Sequence, residues 1–254
     1  MSNLRIWWEA FVKKYGITGS TLKIIAIVFM IIDHTAVIIV NSYINNNIGV
    51  LPYREFNALC KLYDIMRALG RIAFPIFCFL TVEGYCHTRN YYRYLRNLLV
   101  AALISEPIFD ISLWGEVFYP AYQNVLFTLI IGLLAIHLID RYAYDSKYNI
   151  YLRVFFYLTA ALGSMAIAYY LKTDYSYKGV IAIILMYSLR KNRLLSLLAG
   201  EAIFEYEPTA FISIIPIMLY NNKRGLKLKM LFYLVYPLHL AILWMISKFL
   251  PALG

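Results

Sequence analysis

Polar side chains capable of acid–base or binding chemistry interrupt several apolar runs of this sequence: Asp33 and His34 in the run from about 22 to 41, Glu83 in 71–87, Glu106 in 94–112 and His239 in 229–249. An ionisable group at hydrocarbon depth is costly unless it is paired, so each marks a functional site whose partner lies elsewhere in the chain. Lys23 precedes His34 by eleven positions. At 100° per residue this returns to within about 20° of the same helix face, roughly 16 Å along the axis. A cation near one membrane face and a base midway up the same stripe suit an anionic cofactor whose reactive end reaches the base. The alternative is a snorkelling lysine and a histidine that makes a structural interhelical hydrogen bond.

Three further groupings stand out. Arg67, Arg71 and Glu83 flank Phe74-Pro75, and His87, Arg89, Arg93 and Arg96 follow. Arg71 and Glu83 are too far apart to pair on one helix, so Glu83 needs a partner from another element. Arg89, Arg93 and Arg96 fit both the excess of cations in cytoplasmic loops and the binding of phosphate. Glu106-Pro107 and Asp110 approach Asn124; Pro107 frees a carbonyl and bends its helix, which would open a polar vestibule on the outer side. Tyr236-Pro237-Leu238-His239 places a second histidine midway through the last run, where it should meet a polar group inside the bundle. Asp174-Tyr175 and Glu201 read as polar groups near span ends.

The elements that must position these groups are membrane helices. The chain has 254 residues, 62% of them apolar and 15% charged, with mean hydropathy +0.64, far from soluble composition. Its apolar runs are continuous, not alternating, which excludes a transmembrane β-barrel and predicts an all-α, polytopic membrane protein with about 8–10 transmembrane segments. Residues 1–20 read as an amphipathic amino-terminal segment, with Leu4, Trp7, Trp8, Phe11 and Tyr15 opposite Arg5, Glu9, Lys13 and Lys14, lying in the interface; residues 21–254 form one polytopic domain. No signal peptide is visible, so the first span is retained. Candidate spans are about 22–41, 71–87, 94–112, 124–140, 153–171, 177–190, 194–204, 209–220 and 229–249, leaving 42–70 as an external stretch. The short pair 194–204 and 209–220, separated by Glu205, Tyr206, Glu207 and Pro208, fits a re-entrant segment.

A cytoplasmic amino terminus puts Arg5, Lys13, Lys14 and Lys23, then Arg89, Arg93 and Arg96, then Arg141, Lys147 and Arg153, then Arg190, Lys191 and Arg193, and finally Lys223, Arg224, Lys227 and Lys229 inside, while 113–123 carries no Lys or Arg. The net charge of +10 therefore reads as topology, and no nucleic acid is expected as a partner. Cys60, Cys78 and Cys86 have no ligand spacing, so neither a metal nor a disulfide framework is implied.

Several of these stretches together resemble the TraX family: Leu22-Lys23-Ile24-Ile25-Ala26 with Ile32-Asp33-His34, Gly70-Arg71-Ile72-Ala73-Phe74-Pro75 through Val82-Glu83-Gly84, His87-Thr88-Arg89, Ser105-Glu106-Pro107, Asn124-Val125-Leu126-Phe127-Thr128 and Tyr236-Pro237-Leu238-His239-Leu240. The likeness runs from about 22 to 245. It is similar in turn to a wider superfamily of membrane acyltransferases, in which a basic residue precedes a histidine in an early helix by the spacing of Lys23 and His34. That basic residue is usually Arg, and Lys offers a point charge in place of a bidentate fork. The resemblance implies a bacterial inner-membrane transferase, multi-pass with its amino terminus cytoplasmic, that moves an acetyl group from acetyl-CoA to an amine or hydroxyl of a protein, peptide or glycan at the outer side. The best-described member acetylates the amino terminus of a conjugative pilin.

Under that reading His34 and Asp33 are the catalytic candidates, with Asp33 or another carboxylate orienting the imidazole. Lys23 and Arg89 would bind the acetyl-CoA co-substrate, Arg71, Asn124 or His239 would stabilise the oxyanion, and Glu83 would contact substrate; membrane lipids are the other expected partner. Two alternatives use the same residues: a transporter or channel with an intramembrane proton or substrate path, and a non-catalytic assembly protein whose polar groups hold helices together.

Overall fold

The computed structural model describes residues 2–204, 207–226 and 229–250. Among them there is no strand, only two isolated bridges, Ile17 with Tyr220 and Gln123 with Thr173. Glu205, Tyr206 and Lys227 fall outside the described residues, as do the side chains of Leu4, Arg5, Glu9 and Lys229. Helix α1 (Ser2–Tyr15) stacks Trp7 on Phe11 and Phe11 on Tyr15 along one side and closes on Lys13 and Lys14. The Thr18 hydroxyl caps α2 (Gly19–Thr35) by accepting from the Thr21 N–H. This helix runs on through a π-helical stretch, Ala36–Val40, into α3 (Asn41–Asn46). Together Gly19–Asn46 makes a 28-residue apolar run, about 42 Å long and more than enough to cross hydrocarbon. We call the end carrying Gly19 the base and the opposite end the top.

The return path departs from the sequence expectation. Residues 53–70 are not an external stretch but helix α4 (Tyr53–Gly70), which descends along α2 and continues as α5 (Ala73–His87). Arg54, Glu55, Asn57, Lys61 and Asp64 lower the hydropathy of α4 enough to disguise it, although the helix needs apolar residues on only one face. The two helices are one 35-residue run interrupted at Arg71 and Ile72. Pro75 has no N–H to offer the carbonyl four residues back, that of Arg71, and so favours the break.

Helix α6 (Tyr91–Leu113) ascends, α7 (Val125–Leu138) descends with a π-helical end at Ile139–Ala143, α8 (Ile150–Tyr170) ascends and α9 (Ser176–Ser188) descends. The buried side chains of Leu133 and Ile136 on α7 and Ile183 on α9 make the centre of the core. Gly132 lets α9 come close: a Cβ there would lie 2.4 Å from Ile183 Cδ1, the kind of small-residue contact that drives helix association where lipid offers no hydrophobic gain. The outer side of α8 exposes Phe155 and Leu162, a lipid-facing surface.

The segment after α9 does not cross the bundle. Helix α10 (Arg193–Glu201), 3₁₀ turns at Ala202–Phe204 and Pro208–Ser213, and α11 (Ile214–Met218) rise from the base and return to it. Arg193 ties the two ends together, Nη1 donating to the Tyr220 carbonyl at 2.7 Å and Nη2 to Asn222 Oδ1 at 2.5 Å. The N–H groups of Ile17, Gly19 and Ser20 donate to the carbonyls of Leu219, Lys223 and Arg224, fastening the return to the foot of α2. Helix α12 (Lys229–Ser247), with Pro237 inside it, then ascends against α6.

A hairpin anchored this way leaves Lys191 and Lys223, both exposed, on one side of the membrane. Single cysteines at these positions, in a chain with Cys60, Cys78 and Cys86 replaced, are expected to react with an impermeant maleimide from the same side. Labelling from opposite sides would overturn the re-entrant path.

Candidate active site

Just past the middle of the Gly19–Asn46 run from the base, the first and last long helices meet through histidines. His34 Nδ1 lies 2.6 Å from His239 Nε2, with the rings stacked at 4.9 Å and 19°. His239 Nδ1 lies 2.8 Å from the Val235 carbonyl, and a carbonyl can only accept, so this nitrogen carries the proton. With both rings neutral, His239 Nε2 accepts from the N–H of His34 Nδ1. The free lone pair then resides on His34 Nε2. The arrangement makes His34 a base and gives it an orienting partner whose own tautomer is fixed by a turn of α12. The π-helical stretch that begins at Ala36, two residues beyond His34, belongs to a class of helix distortions common at functional sites.

Asp33, the residue expected to orient His34, turns away from it. Its Oδ2 accepts from Arg67 Nη1 at 2.6 Å, both side chains being half-buried. The reason is the position of α4: its last residue, Gly70, lies so close to Asp33 that a Cβ there would be 2.3 Å from Asp33 Cβ. This close approach delivers Arg67, one turn earlier, to the carboxylate. Arg71, in the helix break, reaches Glu207 Oε1 at 3.3 Å at the tip of the re-entrant segment and donates to the Tyr175 hydroxyl at 3.4 Å. Phe74 stacks on Tyr175 at 3.7 Å, and Phe204 packs edge-on against both. Tyr175 holds φ at 60°, a left-handed conformation that costs an aromatic residue roughly 1–3 kcal/mol and persists only where the surroundings impose it.

Above these groups the polar side chains gather around a short helix. Helix α9 has 13 residues, about 20 Å, which is short of the roughly 30 Å of hydrocarbon. The loop before it therefore lies within membrane depth, where its polar groups must be met by protein. Asp174 in that loop accepts from the Tyr122 hydroxyl at 2.6 Å and from the Tyr175 N–H at 2.9 Å. Asn124 caps α7 by accepting from the Leu126 N–H.

Both amide hydrogens of Asn124 are committed, one to the Ala102 carbonyl at 3.0 Å and one to Glu106 Oε2. Asn124 therefore has no donor for an oxyanion, and neither has His239, whose two nitrogens are engaged. Of the three oxyanion candidates named from the sequence, Arg71 alone keeps donors beyond its described contacts. The buried hydroxyl of Tyr236, which sequence reasoning did not single out, has no hydrogen-bond partner among the described residues; the same holds for Asp33 Oδ1 and Glu106 Oε1.

Three candidates lie apart from this centre. Glu83 sits near the base, 3.5 Å from His87 Nδ1 on its own helix. It also meets Tyr220, whose phenol is pushed up to about 12 by burial and by the nearby Glu83 carboxylate. Lys23, in the first turns of α2, has its ammonium 5.1 Å from the Phe232 ring centroid, and Arg89 is exposed in the turn before α6. Among the described residues no group of three His, Cys, Asp or Glu side chains is placed to hold a metal ion.

Comparison with known proteins gives two matches. The family model described as TraX protein matches residues 18–247. A protein of Dichelobacter nodosus named "Probable fimbrial assembly protein FimC, serogroup H1" is 30% identical over 249 residues, covering 90% of this chain and 95% of its own length. No solved structure matches.

The Asp33–Arg67 pair and its seat can be tested by stability. Removing either partner strands the other charge, so Asp33→Ala and Arg67→Ala are each expected to cost about 3–5 kcal/mol. The double variant should cost clearly less than their sum in thermal or denaturant unfolding of purified protein; additive losses would show the pair to be idle. Gly70→Ala is expected to cost about 1–3 kcal/mol by overpacking against Asp33, whereas Gly163→Ala, with nothing within 4 Å of its Cβ, should leave stability near that of the parent.

Proposed function

The chain belongs to the TraX family of membrane proteins, and from that premise we propose that it is a membrane-embedded acyltransferase serving the assembly of surface fibres. It takes an acetyl group from cytoplasmic acetyl-CoA and passes it to an amine or hydroxyl presented from the outer side. The observation that carries this reading is the His34–His239 pair: a base with a fixed tautomer, held inside the bundle by two helices from opposite ends of the chain. The base of the molecule is taken as cytoplasmic because Arg89, Arg141, Lys147, Arg190, Lys191, Lys223 and Arg224 all lie in its turns, as cations do on the inner side of bacterial membranes. The polar cluster of Asp174, Tyr175 and Glu207 then lies toward the outer side.

In this mechanism His34 Nε2 takes the proton from the acceptor nitrogen or oxygen as that atom attacks the thioester carbonyl. The tetrahedral intermediate collapses with cleavage of the C–S bond, and the departing thiolate recovers the proton from His34. The products are the acetylated acceptor and free coenzyme A thiol. Asp33 acts by pairing with Arg67 and so fixing α4 beside His34, not by orienting the ring. Lys23, on the His34 stripe nearer the base, supplies a cation for the phosphates of the donor, and Arg89 a second at the surface.

A second reading has support in the printed name of the Dichelobacter relative: an assembly protein without catalysis, in which Asp33–Arg67 and His34–His239 serve as interhelical glue. Acetyl-CoA binding and release of free thiol by purified protein separate the two. We expect saturable binding and slow thiol release, with His34→Ala losing about 10²–10⁴-fold in rate while binding within a few-fold of the parent, and Lys23→Ala weakening binding. Folded protein that binds no acetyl-CoA, or a His34→Ala variant of undiminished rate, would leave the assembly reading.

A further inference from the structure

Acyl transfer assisted by a base at His34 needs a hydrogen-bond donor for the carbonyl oxygen as it gains charge. Asn124 and His239 have spent theirs, and the described contacts of Arg71 turn Nη1 toward Glu207 and Tyr175. One donor remains beside the histidines. The ring of Tyr236 meets His34 at 6.1 Å and 72° and His239 at 5.5 Å and 64°, so it is wedged against both. The residue is 5% exposed, and its hydroxyl has no partner among the described residues that meets hydrogen-bond geometry. A buried phenol left this way forfeits about 1–3 kcal/mol. The backbone N–H of Val125, in the first turn of α7, approaches the phenolic oxygen, and Val125 packs on the same apolar cluster as Tyr236. With no acceptor engaged among the described residues, the Tyr236 O–H is free to donate.

We propose that Tyr236 is the oxyanion donor of the acyl-transfer site, a proposal that rests on the function given above. As the acceptor's lone pair forms the new bond to the acyl carbon, the C=O π electrons move onto oxygen, and the Tyr236 O–H donates a hydrogen bond to that oxygen while keeping its proton. His34 Nε2 takes the proton from the acceptor. The carbonyl re-forms as the C–S bond breaks, and the thiolate takes the proton from His34.

Tyr236→Phe removes the hydroxyl and keeps the ring that packs on both histidines, so the fold and the histidine pair are retained. Acetyl-CoA turnover, read as free thiol, is expected to fall about 10²–10³-fold in kcat, with acetyl-CoA affinity within two-fold of the parent and the pH profile unmoved. Fluorinated tyrosines at position 236, isosteric but with more acidic phenols, should change kcat in a graded way while thermal stability stays level; a merely structural hydroxyl would produce no such series. Parent protein that turns over normally beside a Tyr236→Phe variant of equal kcat would overturn this assignment alone. Parent protein without any turnover would overturn it together with the acyl-transfer reading.

Discussion

Neither an aspartate nor an arginine can sit deep in an apolar bundle unless the other sits with it, because the Coulomb gain must offset two desolvation penalties of several kcal/mol each. Seating Asp33 against Arg67 sets the requirements for much of the architecture around it. The arginine must arrive on an element antiparallel to α2, which is the role of α4. That element must end where the carboxylate begins, and Gly70 permits the two backbones to approach closely enough. The helix must then stop and restart, and Pro75 makes the interruption inexpensive by withholding an N–H that would otherwise prolong it. The restart leaves Arg71 in the gap, where the tip of the re-entrant segment brings Glu207 to meet it. A pair of opposite charges thus specifies a broken helix, and the break is where Arg71 gathers Glu207 and Tyr175.

The histidine pair solves a different problem. An imidazole base needs its second nitrogen held, and proteins commonly use a carboxylate for this. Here the holding group is another imidazole, and that one is held by a backbone carbonyl one turn earlier in α12. The relay contains no formal charge, so it avoids adding an anion to a region where Asp33, Glu106 and Asp174 already need partners. Its orientation derives from helix geometry alone, since residues four apart on a helix are neighbours along its axis.

The sequence disclosed which residues mattered more readily than which ones meet. His34, His239, Asp33, Arg71 and Glu106 stand out because hydrocarbon makes each expensive, and the cost is visible without coordinates. Their partners are not visible, because periodicity places a residue on a face and says nothing about the helix opposite. Asp33 thus looked like the partner of its neighbour His34, although consecutive residues point 100° apart on a helix. Helix α4 was hidden for a related reason: a third of its residues are charged or amide side chains, and a hydropathy window averages its apolar face with its polar one. The re-entrant segment was legible from its length, yet only the bonds from Arg193 to Tyr220 and Asn222 locate both of its ends at the base. Asn124 was conspicuous as an amide at a span boundary, and nothing short of the hydrogen-bond pattern reveals that its donors are spent. Tyr236 stands in the sequence only as the start of the motif that ends in His239, with no role of its own, since an orphaned hydroxyl is a property of surroundings and not of residue type.

The two halves of the histidine pair are separated by 205 positions of chain, and this separation bears on how the protein comes into being. A ribosome delivers α2 to the membrane well before α12, so until α12 arrives His34 lacks the partner that fixes its tautomer. The foot of α2 is likewise unfastened until residues 219–224 emerge to pair with it. The junction of the two histidines is therefore among the late contacts to form as the chain inserts, and a product truncated before α12 lacks it however well its early helices pack.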